Sequence, residues 1–331
     1  MGDSSLRVLG AGVVNDPANK SLRFDMLKFG LERFCEEMKK AGAPLKLSDQ
    51  EPVLGRFFAE SCQSEVLDEE ARKSFVLQYT GKGYAWTNVT GKLGFSSRGL
   101  VEYAPDFQLS DGALYVYFRP KTVDAAGFQL LSVDSALARA GIAAAAGSAN
   151  PDEIGRHVLD SQLKRGFTVI RYGSDGRTDF GLGFIPKGEK PYKPFDITTE
   201  KRILLNERTE VHLQTQDYIG PLSVEDDDSA LHLTLELDGA DGLDYQVVPK
   251  ALGDAMLDRY VRSQGPCPML GPPAFDASAG RARTQQAVPL PVGQYFLVLD
   301  NSSQLGRSQP PTGAAGDHAA RVDYAVLVGP R

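Results

Sequence analysis

Histidine, cysteine and tryptophan are scarce in this chain of 331 residues, with four, three and one copies. There is no C-x-x-C and no Cys/His spacing suited to zinc, so a structural zinc site has no obvious ligands. No block of Lys or Arg interrupts a net charge of −7. Phosphate neutralisation needs clustered cations, which argues against nucleic acid as a partner. No apolar run approaches the roughly 18 residues of a membrane-crossing helix, so contact with a membrane would require a lipid anchor. Catalytic motifs are missing as well. No G-x-S-x-G is present, since Gly94-Phe95-Ser96-Ser97-Arg98-Gly99 is off by one position. Asp179-Phe180-Gly181 spells a kinase triplet without its companion motifs, and Gly10-Ala11-Gly12 lacks the third glycine of a dinucleotide loop. His157, on a helix, has no nucleophile placed for it.

What is abundant points to strands and turns. Gly (34) and Pro (20) exceed their average combined usage of roughly 12%. Hydrophobic residues at 42% and charged residues at 24% are a globular balance, and the length suggests two domains. Asp16-Pro17 opens a helix, Asp as N-cap and Pro at N1. Phe24, Leu27, Leu31, Phe34, Cys35 and Met38 then recur at helical spacing, and Leu22, Met26 and Phe29 widen the stripe. The helix should lie across a sheet and end at Ala41-Gly42-Ala43-Pro44. From Ser74 the period becomes two, giving strands at 74–79, 84–89, 99–104 and 113–119. An Ala-rich helix over 133–146, a capped helix opening at Asn150-Pro151 and a hairpin of 166–172 with 178–185 follow.

Three prolines in Pro186-Lys187-Gly188-Glu189-Lys190-Pro191-Tyr192-Lys193-Pro194 read as a semi-rigid linker. The expectation is an α+β domain over 1–190, one long amphipathic helix on an antiparallel sheet, and an all-β, jelly-roll-like sandwich over 195–331. Strands are expected there at 209–214, 220–224, 230–237, 243–248, 294–300 and 321–328, with a short helix over 251–262. The run Leu231-His232-Leu233-Thr234-Leu235-Glu236-Leu237 leads to Leu243-Asp244-Tyr245-Gln246-Val247-Val248. Pro291-Val292-Gly293-Gln294-Tyr295 and a closing Tyr324-Ala325-Val326-Leu327 follow. In this order the second half resembles the bacterial pre-peptidase C-terminal type of β-sandwich and, more loosely, GOLD-type sandwiches. The stretch 254–283 departs from that pattern as an insertion. The resemblance implies an accessory, non-catalytic domain on an exported bacterial protein.

It also bears on the terminus. Met1-Gly2-Asp3-Ser4-Ser5-Leu6 has no charged n-region or apolar h-region, and Leu6 fails the myristoylation pattern. Either the protein is cytoplasmic and starts at Met1, or a leader has been removed, leaving a stub like that after the lipidated cysteine of lipoproteins. The resemblance favours the second, with the protein in the periplasm or on the outer membrane. Cys35, on a helix, and Cys62, in a loop region, could form a disulfide; otherwise all three thiols, Cys267 included, are reduced.

Two features carry candidate sites. Ten of the chain's aromatic residues fall between Phe75 and Phe118. Alternation places Tyr84 with Trp86, and Tyr115 with Tyr117, on one face, opposite Leu114, Val116 and Phe118. That face is either a surface for a lipid, glycan or protein partner, or core under the later helices. The acidic runs Glu225-Asp226-Asp227-Asp228 and Asp238 to Asp244 offer Asp238, Asp241 and Asp244 to a calcium ion, or form a solvated hairpin tip. His212 and His232 could be cross-strand neighbours but lack a third ligand. The reading is a non-enzymatic envelope protein binding an apolar ligand or an envelope partner, with no cofactor unless Ca²⁺. The alternative is a hydrolase with an active site of no known motif in the first domain.

Overall fold

The structure is a computed structural model, describing residues 11–331 except 32–33, 40–41, 89, 111, 125–126, 135–150, 174–176, 309 and 311–317. Nearly all of the Ala-rich stretch expected as a helix, and the tip of the 166–185 hairpin, lie outside the described residues. The chain is mostly β.

Asp16 caps the first helical turn as its sequence requires, its carboxylate accepting from Ala18 N at 2.9 Å with Pro17 at the first position. The helices α1 (Lys20–Leu31) and α2 (Phe34–Met38) follow. Phe24, Leu27, Leu31 and Cys35 are buried, but Leu22 and Met26 are 47% and 56% exposed, so the stripe is narrower than expected. Arg23 explains the difference. Its guanidinium turns inward to Asp106 at 2.6 Å and to the carbonyls of Val14 and Asp16, which rotates positions 22 and 26 outward.

Beneath these helices runs a meander: β1 (Ala43–Lys46), β2 (Val53–Glu69), β3 (Arg72–Thr87), β4 (Gly91–Ser110), β5 (Ala113–Asp124) and β6 (Gln129–Val133). After α3 (Pro151–Arg165) come β7 (Phe167–Tyr172) and β8 (Thr178–Leu182). Strand order is β2-β3-β4-β5-β7-β8, with β1 on β2 and β6 on β4, all antiparallel. β2 is a strand that alternation does not reveal. A bulge between Ala59 and Ser61 shifts its period, and its second half, Cys62-Gln63-Ser64-Glu65, is largely polar.

The second half comprises β9 (Arg202–Val211), β10 (Gln216–Val224), β11 (Ser229–Asp238), β12 (Gly242–Pro249), α4 (Lys250–Arg262), β13 (Phe275–Gly280), β14 (Thr284–Pro289), β15 (Gly293–Asp300) and β16 (Ala320–Pro330). One layer has the order β14-β11-β16-β9 and the other β10-β15-β12-β13. Every connection crosses between layers except β12 to β13, the winding of a jelly roll. Leu231, Leu233, Leu235 and Leu237 from one layer meet Leu243, Tyr245 and Val247 from the other. β13 and β14 lie in or beside the stretch expected as an insertion. As edge strands of small and polar residues they carry little hydrophobic pattern.

The halves are joined by more than chain connectivity. The β14-β11-β16-β9 layer continues into the meander through a parallel contact of Val53 with Thr209. The Pro-rich segment is docked instead of running free. Asp49 accepts from Leu182 N and Tyr192 N, and the Tyr115 hydroxyl donates to Glu189 O. At the junction Arg56 of β2 meets Asp217 of β10 in a two-pronged ion pair, Nε to Oδ1 at 2.8 Å and Nη2 to Oδ2 at 3.1 Å. Tyr84 donates to Asp217 at 2.6 Å and Thr209 donates at 2.9 Å, while Arg56 also donates to Tyr324, which donates to Glu207. Burial opposes the Arg56 charge most strongly of any single influence, but Asp217, Tyr324 and Glu207 together outweigh it and hold the guanidinium well above its ordinary range. Burial pushes the Tyr84 hydroxyl far up, and the same carboxylate adds to the shift.

A second bridge caps α4. Lys92 of β4 is buried, and its ammonium donates to the carbonyls of Tyr260 (2.8 Å) and Ser263 (2.6 Å). Ser132 of β6 donates to Val261 O at 2.7 Å. Carbonyls that the helix end leaves open are thus satisfied by the other half of the chain.

Removing one member of the buried pair strands the other, so Asp217→Asn should cost about 3–5 kcal/mol in urea unfolding. Adding Arg56→Met to the same chain should recover part of the loss; a double variant less stable than the single one contradicts this account. Lys92 gives a pH signature. Burial brings its ammonium down to about 8, with Asp134 opposing. The unfolded chain therefore holds more protons between that value and the ordinary 10.5, and stability from this site should rise as pH is raised through that window. The wild type should gain on Lys92→Met between pH 7.5 and 10, and parallel pH profiles would exclude the assignment.

Candidate apolar binding site

In α3 the helical spacing of Val158, Leu159, Gln162 and Leu163 turns these side chains to the sheet. Gly166, at φ +66°, ends the helix in the left-handed region and lets β7 start at Phe167. Gln162 fixes the helix laterally. Its Oε1 accepts from Lys46 N at 3.2 Å and its Nε2 donates to Lys46 O, so the side chain pairs with β1 as a strand backbone would.

Between α3 and the curved sheet is a cavity of about 120 Å³. Its floor is formed by Phe57, Ala59 and Cys62 of β2, Leu77 and Tyr79 of β3, and Tyr103 of β4. Leu159 and Leu163 roof it, and Phe167, Phe180 and Leu182 close one side. None of the described lining residues is charged. The volume is close to the roughly 150 Å³ of an apolar cavity that stays dry and accepts benzene. Aromatic edges define the walls, with Phe57 to Tyr79 at 5.5 Å and Tyr103 to Phe167 at 5.5 Å. Opposite Tyr79 stands Gly99, where a Cβ would come 2.8 Å from the tyrosine hydroxyl, so the absent side chain is what lets the ring lie across β4. Phe180 stacks on Phe167 at 5.4 Å and is 42% exposed, which places it at the rim.

Polar groups in the wall are few. Gln162 is consumed by β1, and the Tyr79 hydroxyl lies 3.5 Å from Ser97 Oγ. The Tyr103 hydroxyl has no hydrogen-bond partner among the described residues, although only 2% of the residue is exposed; burial raises its pKa, with Tyr79 adding to the effect. Cys62 is bridged to Cys35, stapling α2 to the cavity floor with a Cα–Cα distance of 5.3 Å. Cys62 thus sits on a strand and not in a loop. Cys267 is buried and free, and burial pushes its thiol up.

The aromatic face expected from the sequence is distributed differently. Alternation holds, since Tyr115 and Tyr117 pack with Ile170 and Ile185 while Leu114, Val116 and Phe118 pack opposite. Yet Tyr84, Tyr115 and Tyr117 are all at least 96% buried. Tyr84 is covered by Tyr218 and Tyr260, its hydroxyl also accepting from Tyr218 N, and Trp86 stacks on His212 with centroids 3.3 Å apart. Tyr117 lies under Phe184 at 4.6 Å. The second half and the 183–191 segment cover what would otherwise be an open surface. Of the same aromatic stretch, Tyr79 and Tyr103 do reach the cavity. Phe57 and Ala59 carry no local signal because β2 carries none, whereas Leu159 and Leu163 stand at helical spacing in α3.

Asp238, Asp241 and Asp244 do not converge. Asp238 is exposed and accepts from Gly239 N, and Asp241 is exposed and pairs with Arg281 at 2.8 Å. Asp244 is fully buried, accepting from Ser278 Oγ, Ser308 N and Ser308 Oγ. Asp238 ends β11, Asp241 lies in the bend before β12 and Asp244 is buried on β12, so the three carboxylates occupy separate environments, and among the described residues no three His, Cys, Asp or Glu side chains gather to hold an ion. His212 and His232 are not neighbours, because β16 lies between β9 and β11; His232 instead meets Lys201 at 3.1 Å. No model of a known protein family matches this chain, and no curated protein is found similar to it.

The disulfide closes a loop of 27 residues, for which chain entropy gives about 3.5 kcal/mol. Reduction, or Cys35→Ser with Cys62→Ser, should lower the urea midpoint accordingly, and a reduced protein as stable as the oxidised one would rule the staple out.

Proposed function

We propose that this is a non-enzymatic binding protein of the bacterial envelope, taking an apolar ligand in its first half and braced by an accessory jelly roll in its second. The observation that carries the reading is the uncharged cavity under α3. Hydrophobic side chains, one disulfide sulfur and a few hydroxyl and amide groups suit it to holding an apolar group rather than to moving protons. Among the partners a Tyr-rich face could serve, the cavity favours a small lipid-like molecule over a glycan, which would need many more polar groups. The Cys35–Cys62 bridge supports an oxidising compartment. The two-layer winding of β9 to β16 is suited to an accessory role beside the cavity-bearing half. The two parts meet near residues 190–195, and a lipid anchor on a removed leader belongs to the same proposal.

Toluene, observed by saturation-transfer NMR, tests the site. It should bind the wild type and be lost in Ala59→Phe, which fills the floor, while that variant keeps its cooperative melt. Binding that persists in a folded Ala59→Phe protein, or no binding to the wild type, refutes the assignment.

A further inference from the structure

The cavity is not uniformly greasy, and among its described lining side chains one polar group without a hydrogen-bond partner restricts what can enter. The inference rests on the apolar-site reading above and specifies its ligand. Tyr103 lines the cavity, is almost fully buried and has no hydrogen-bond partner among the described residues. The other wall polar groups differ in kind. Both ends of the Gln162 amide are used by Lys46, and Tyr79 lies beside Ser97. With no protein partner, this hydroxyl is free to donate to a bound acceptor.

Charge narrows the class further. No Lys, Arg or His is among the described lining residues. Two cations outside the lining are engaged with backbone carbonyls. Lys46 donates to Asp49 O, and Arg165, an exposed residue at the end of α3, donates to Lys46 O. A carboxylate or phosphate carried to Tyr103 would be buried with no counter-charge, which is far more costly than burying a neutral carbonyl. Volume sets the rest, since about 120 Å³ admits a ring or a short alkyl segment, and the rim at Phe180 leaves room for a longer chain to emerge.

We infer that the site selects a neutral, mostly apolar molecule bearing one hydrogen-bond acceptor, such as a short-chain ester, to whose carbonyl the Tyr103 hydroxyl donates, and that it discriminates against the corresponding free acid. Tyr103 is therefore the specificity-determining residue of the cavity.

The experiment compares three probes on the wild type and on Tyr103→Phe, which deletes only the hydroxyl: methyl pentanoate, pentanoate at pH 7.5, and toluene. Dissociation constants come from saturation-transfer titrations. Methyl pentanoate should bind the wild type roughly three- to tenfold more tightly than Tyr103→Phe, the range expected for one hydrogen bond. Toluene, with no acceptor, should bind both proteins equally or slightly favour the variant. Pentanoate should bind the wild type at least tenfold more weakly than its ester. Equal ester affinity for the two proteins overturns the role of Tyr103, and pentanoate binding as well as its ester overturns the discrimination. In both cases toluene binding would leave the apolar site standing. Loss of all three probes from the wild type would remove the site itself.

Discussion

Arg56 and Asp217 sit far apart in sequence and both lie inside the protein, so each charge depends on the other and on the polar side chains around the pair in place of water. This is a constraint as much as an attraction. Desolvating two ions consumes most of what their attraction returns, and such a pair contributes more to geometry than to net stability. What it specifies here is the placement of β2 and β3 against β9, β10 and β16, since Tyr84, Thr209, Tyr324 and Glu207 complete the same network. A shift that broke one contact would leave several buried polar groups unpaired at once.

The α4 helix adds a different kind of join. Its carbonyl end is closed by Lys92 and Ser132 from the meander, and its ring-bearing face, through Tyr260, covers Tyr84 and Tyr218. Hydrophobic burial and polar satisfaction therefore act on the same surface. Together with the continuous sheet at Val53 and Thr209 they make the junction a packed interior rather than a hinge.

Much of this architecture was written locally. The cap at Asp16, the α3 stripe, the hairpin after Gly166 and six of the eight jelly-roll strands follow from spacing and turn residues that act within a few positions. What spacing leaves hidden has other causes. β2 hides because its bulge and polar second half break alternation. β13 and β14 hide because edge strands need few apolar residues. Alternation assigned Tyr115 and Tyr117 to one face correctly, but it could not say that the segment after β8 would cover them. Nor could any local pattern place Tyr84 beside Asp217, 133 residues away. The cavity was least legible of all, because it is a space between α3 and strands distant from it in sequence, made of residues that each look like ordinary core.

Period two also ties the cavity to the junction. On β2, Phe57 faces the cavity while its neighbours Arg56 and Phe58 face the second half, Arg56 toward Asp217 and Phe58 toward Phe296. On β3, Leu77 and Tyr79 line the floor, and Tyr84 emerges on the opposite face further along the same strand. A strand whose two faces are both committed cannot slip by one residue without exchanging Arg56 for Phe57 and breaking both sites. The junction therefore holds the register that shapes the cavity floor. The jelly roll, which contributes no described residue to the lining, nevertheless determines which side chains the cavity presents.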